Sequence, residues 1–137
     1  MQEDSYWTLA KEASGEYSEK RSKFLAFAFP VTSEEEALAR VQEVRAEYYD
    51  ARHVCWAYRL DPAGERTRSN DDGEPSGTAG KPILGILISQ GLTDLIVLVV
   101  RYFGGVKLGT SGLIEAYREA TLAALEGAER KEGILEQ

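Results

Sequence analysis

Cysteine and histidine are scarce in this chain of 137 residues, with one of each, Cys55 and His53. A single thiol excludes an internal disulfide framework and fits a reducing compartment, so the expected location is the cytoplasm. One cysteine and one histidine also exclude a zinc site built from those residue types within one chain, and no metal or other cofactor is expected. Long apolar runs are missing. The longest, Leu95 to Val100, falls far short of the ~20 residues of a membrane span, and the polar start MQEDSYWTLAKE does not read as a signal peptide. No membrane partner is expected. Positive charge is in deficit, and a net charge of −7 argues against a generally basic nucleic-acid binder.

What is there suits one globular domain. Hydrophobic residues make up 43% and charged residues 28% of the chain, which excludes a disordered polymer. A domain of this size buries about two-thirds of the surface of its unfolded chain, so it needs no staples. The charge is uneven. Residues 1–51 and 119–137 are acidic, whereas 52–118 are close to neutral, which leaves room for a local anion site in the middle.

Hydrophobic periodicity and punctuation give the order β-β-α-β-α-β-α. Tyr6–Leu9 and Ser22–Phe29 read as strands, the second closed by Pro30. Ser33 with Glu36 forms a capping-box pattern, and Leu38, Val41, Val44 and Tyr48 recur at helical spacing, predicting a helix over 33–49. His53–Leu60 is a strand, followed by a long polar loop from Glu65 to Gly80. Pro82 and Gly91 bracket a short buried helix. Asp94–Tyr102 is a near-continuous apolar strand of the central kind, and a last helix begins at Thr110 or Ser111. The tail after Leu125 is polar and expected to fray. These elements predict an α+β fold, a two-layer sandwich with helices on one face of a four-stranded sheet.

Three groups of residues could carry chemistry. The turn Phe103–Gly112 lies between a buried strand and a helix start, and Gly104, Gly105 and Gly109 let a ligand approach the backbone. Unpaired amides at the helix N-terminus, with Arg101, Lys107 and Arg52, would hold a phosphate or carboxylate, and Tyr102 or Phe103 would stack on a base. The plainer reading is a tight strand-to-helix turn; the spacing fits neither a Walker loop nor a dinucleotide fingerprint. In the loop, Asp71, Asp72 and Glu74 could share a divalent cation, or pair with Arg52, Arg66, Arg68 or Arg101 and merely order the chain. His53 and Cys55 share a strand face as a Cys–His dyad would, although ordinary strand residues look the same.

Two longer segments go further. Ser69-Asn70-Asp71-Asp72-Gly73-Glu74-Pro75-Ser76-Gly77-Thr78-Ala79-Gly80-Lys81-Pro82-Ile83-Leu84 and Val99-Val100-Arg101-Tyr102-Phe103-Gly104-Gly105-Val106-Lys107-Leu108-Gly109 resemble motifs of the Impact/YigZ family. Lys20–Phe24 and Ala51–Tyr58 resemble its earlier motifs, and the likeness covers about residues 15–126. The resemblance implies a ribosomal protein S5 domain 2-like fold. It also implies a link to translation, since eukaryotic Impact proteins regulate translation in amino-acid starvation. Bacterial members usually carry a second, ferredoxin-like domain, for which 137 residues leave no room, so one Impact N-terminal-like domain over 1–137 is expected.

The resulting expectation is a non-enzymatic binding domain linked to translational regulation, with RNA or a ribosome-associated protein as partner. Its anion site would comprise Arg52, Arg101, Tyr102, Gly104, Gly105, Lys107 and Gly109 together with Asp71, Asp72 and Glu74. The alternatives are a Mg²⁺-dependent enzyme acting on a phosphorylated small molecule through those carboxylates, and a protein-interaction module.

Overall fold

The computed structural model describes residues 5–134. In chain order the elements are β1 (Ser5–Leu9), β2 (Ala13–Glu19), β3 (Ser22–Pro30), α1 (Glu34–Glu47), β4 (His53–Leu60), β5 (Arg66–Asn70), α2 (Gly80–Ser89), β6 (Leu95–Tyr102), α3 (Gly109–Leu125) and β7 (Arg130–Ile134). An antiparallel five-stranded sheet has the order β2-β3-β6-β4-β5, and β1 pairs with β7 in a separate two-stranded sheet. None of the helices among the described residues is long and apolar enough to cross a membrane.

The α+β class stands, with two corrections to its details. The main sheet has five strands rather than four, and helices cover both of its faces. Strand β6 shows why. Its residues Leu95 to Val100 are all fully buried. Leu95, Val97 and Val99 join Tyr117, Leu113 and Ile83 of α3 and α2, whereas Ile96, Leu98 and Val100 join Val41 and Val44 of α1. Alternate side chains of a strand point to opposite faces, so an unbroken apolar strand needs a cover on each.

The three strands absent from the expected order are polar. Strand β2 (ASGEYSE) is an edge strand held by full pairing to β3, and a Cβ at Gly15 would come within 2.4 Å of the Ala123 backbone in α3. Strand β5 (RTRSN) occupies the opposite edge and shortens the long polar loop to 71–79. Residues 130–134 of the tail expected to fray instead form β7, registered residue for residue against β1, and residues 135–137 lie outside the described residues. Edge strands need only a partner's backbone and one half-covered face, so their composition carries little signal.

Helix boundaries follow local chemistry at α1 and at the end of α2, but α2 begins at Gly80, so Pro82 is its third residue rather than its first, and α3 begins at Gly109 with Leu108 as N-cap rather than at Thr110 or Ser111. Ser33 Oγ accepts from Glu36 N–H at 3.1 Å, while Glu36 reaches back to the Thr32 amide at 2.7 Å, one residue before the expected position. Helix α2 ends in a Schellman arrangement. Gly91, at φ +68, donates to Ile88 C=O, and Leu92 donates to Leu87 C=O. On the α3 face, Ala26 and Ala28 of β3 meet Ala116, Ala120 and Ala124 of the helix. Small side chains let helix and sheet approach closely, so the larger Leu25, Phe27 and Phe29 turn toward α1 and are only partly buried.

Candidate functional site

Two connections meet beside the end of β6: the loop 71–79 leading into α2, and the turn 103–108 leading into α3. The first loop is built around its own carboxylates. Asp71 accepts from the amides of Gly77 (2.9 Å), Ala79 (3.1 Å) and Gly80 (2.8 Å), closing the N-terminus of α2. Asp72 accepts from Val54 N–H at 2.7 Å and from Arg45 at 2.9 Å, and its carbonyl lies 2.8 Å from His53 Nδ1. These contacts pin the loop to β4 and to α1.

Glu74 turns inward. Its carboxylate accepts from Arg101 Nη1 at 3.0 and 2.8 Å and from Tyr117 O–H at 2.5 Å, and His53 Nε2 lies 3.5 Å away. The rest of the Arg101 guanidinium donates to Ser22 Oγ, and its cation lies 5.5 Å from the Phe24 ring centroid. The two side chains are 6% and 3% exposed. A charge buried this deeply must be paired, and this pair ties β6, β3, α3 and the loop into one unit. Cys55 S–H donates to Asp71 C=O at 3.1 Å within the same network. Burial, with nearby carboxylates adding, pushes the Cys55 thiol far above its ordinary range, and burial beside Cys55 and Glu74 does the same to the Tyr117 phenol. Cys55 is fully buried with its thiol against Asp71 C=O and the Tyr117 hydroxyl, while the His53 ring nitrogens face the Asp72 carbonyl and Glu74, so each of the two has other partners.

Against this packed region lies an open cleft of about 370 Å³. Arg52, Lys107, Phe103 and Thr110 form its rim, with Gly109 beside them; Arg101, Glu74 and His53 form its floor. Helix α3 opens onto it. Its N-cap, Leu108, makes no side-chain capping bond, and Gly109, Thr110 and Ser111 in the first turn are exposed. The Arg52 guanidinium stands 5.1 Å from the Phe103 ring centroid, flanking that ring with a cation.

The ten residues expected at an anion site therefore divide. Arg52, Glu74, Arg101, Lys107 and Gly109 line the cleft. Arg101 does so from below, with its donors already engaged by Glu74 and Ser22. Asp71 and Asp72 are bound to backbone amides and Arg45 and do not line it. Tyr102 points to the other face of the sheet, where its hydroxyl donates to Asp50 at 2.8 Å. Gly104 answers a packing demand, since a Cβ there would fall 2.0 Å from the Arg21 carbonyl oxygen, and Gly105, at φ +89, shapes the turn. His53, Phe103, Thr110 and Leu113 join the cleft instead. His53 shares the face of Arg101 because the two are register partners on β4 and β6, and neither that pairing nor the approach of Leu113 is written in the local sequence.

An antiparallel sheet between helices, with a glycine-rich turn opening its last helix, defines the class of this domain. Within that class the chain belongs to the Impact N-terminal domain family, whose model matches residues 20–125. It is 39% identical over 121 residues to the IMPACT family member YvyE of Bacillus subtilis, covering 88% of this chain and 56% of that one. It is 44% identical over 100 residues to YigZ of Escherichia coli, covering 72% and 49%. The chain thus spans about half the length of these curated relatives. A crystal structure of a hypothetical protein superposes with TM-score 0.91 at 37% identity, covering 96% of this chain and 65% of the other. The two-domain translational regulator Yih1 superposes with TM-score 0.51 at 28% identity, covering 89% and 47%.

Proposed function

We propose that this chain is a non-enzymatic binding domain acting in translational regulation, and that it holds RNA phosphate in the cleft at the start of α3. The reading rests on one observation: Arg52 and Lys107 stand exposed beside the N-terminus of α3, whose N-cap, Leu108, makes no side-chain capping bond. Free amides and the positive end of the helix dipole favour an anion there. With Arg101 neutralised by Glu74, the net charge of the cleft comes from its rim. Phe103, 37% exposed, offers a ring on which a base can stack. The likeness to Yih1 supports the link to translation, and a ribosome-associated protein is the partner to consider if RNA fails.

The enzymatic alternative loses its ligands. Each of Asp71, Asp72 and Glu74 is bound by the protein's own donors, and they point to different neighbours. Binding through a small number of phosphates implies an affinity that falls as salt rises. Fluorescence anisotropy with labelled single-stranded RNA at two salt concentrations tests the proposal. Binding at low salt that weakens with added salt, and weakens again in Lys107→Ala and Arg52→Ala, is the expected result. No binding at low salt, or binding indifferent to both substitutions, overturns it.

A further inference from the structure

The opposite face of the sheet carries a second concavity. Helix α1 lies over β4 and β6 and leaves the outer half of that face, formed by β3 and the edge strand β2, less covered. A groove of about 410 Å³ runs between these strands and α1. Phe27 and Phe29 form its floor, Glu12 borders it on the β2 side, and Arg40, Glu43 and Glu47 border it on the α1 side. The lining thus has an aromatic floor and three carboxylates against one guanidinium.

The groove already holds one cation of its own. The Arg40 guanidinium lies 4.4 Å over the Phe29 ring, with Glu43 at 3.1 Å and Glu12 at 3.9 Å. One turn further along α1 the same elements recur without the cation. Phe27 lies against the Tyr48 ring at 5.4 Å, and Glu47, whose carboxylate accepts from the Tyr48 hydroxyl, makes no ion pair among the described residues. An aromatic face with a carboxylate at its edge attracts a cationic side chain, and the partly buried ring gives an apolar neighbour somewhere to rest.

We propose that this groove docks a protein segment bearing Arg or Lys next to an apolar side chain. The cation meets Glu47, beside the existing Arg40–Glu43 pair, and the apolar group lies on Phe27. The acidic rim repels nucleic acid, so this surface and the α3 cleft, on opposite faces of the sheet, take partners of opposite charge.

A short fluorescein-labelled peptide of alternating Arg and Leu is the probe, with its Glu-Leu counterpart as control. Anisotropy reads affinity, and amide NMR shifts read the location. The double variant Glu43→Lys/Glu47→Lys changes exposed positions and is checked for an unchanged melting curve. Glu115→Lys/Glu126→Lys, on α3 and at its C-cap, makes the same change in net charge on the other face. The expected result is shifts at Ser14, Phe27, Phe29 and the last turns of α1, and a loss of about tenfold or more confined to the first variant. Equal losses in both variants would mean that net charge alone attracts the peptide, and the proposal falls. It falls equally if the acidic peptide binds as well, or if the shifts lie elsewhere. Self-association of the free chain that Glu43→Lys/Glu47→Lys abolishes would make the groove an interface between copies and overturn it too. RNA binding at the α3 cleft is measured separately, so failure of either reading leaves the other standing.

Discussion

Helices α2 and α3 begin near one another, each after a glycine-containing loop, and their N-termini have opposite fates. At α2 the chain supplies its own anion: Asp71 accepts three backbone amides and no ligand is needed. At α3 the N-cap, Leu108, makes no side-chain capping bond, and Lys107 and Arg52 stand beside it in an open cleft. Both loops contain the residues that a phosphate site uses. The difference is whether a carboxylate from elsewhere in the chain reaches the amides first. A helix start leaves backbone donors to be satisfied, and only the neighbouring loop shows whether the chain itself satisfies them.

The largest effects should come from the network beneath both loops. Glu74→Ala leaves Arg101 buried without its partner, which costs on the order of 3–5 kcal/mol and should appear as a large drop in the urea midpoint. The same variant should expose Cys55 to thiol reagents, to which the native thiol is closed because burial keeps it protonated. Asp71→Ala removes the acceptor of three amides and should cost about 2 kcal/mol by the same measurement. An equal loss from Thr110→Ala would erase the distinction between the two helix starts. Thr110→Asp supplies α3 with a carboxylate of its own. It should raise stability by about 0.5 kcal/mol while abolishing RNA binding, and undiminished binding would place the RNA elsewhere. Lys107→Ala, an exposed change, should alter stability by less than about 0.5 kcal/mol and reduce the salt slope of RNA binding by about 1.

Much of the fold was legible because its central elements advertise themselves. The capping residues of α1, the Gly91 that ends α2 and the apolar run of β6 all depend on local chemistry. Strands β2, β5 and β7 were hidden because pairing with β3, β4 and β1 holds them, and a polar edge strand has no pattern of its own. The candidate site was legible in half. Arg52, Lys107 and Gly109, singled out from the sequence, line one cleft, whereas Tyr102 sits on the other face, since a neighbour of Arg101 on a strand must point away from it.

The sequence by itself determined the α+β class, the family and the residue types gathered at the two loops, because periodicity, caps and long motifs are properties of neighbouring residues. The tertiary structure alone decided which charges remain available. Arg101 is neutralised by a glutamate 27 positions away, and Asp71 is taken up by amides of the helix it precedes. Burial forces charges and backbone donors to find partners, and the partners it finds are set by the packing of strands far apart in the chain.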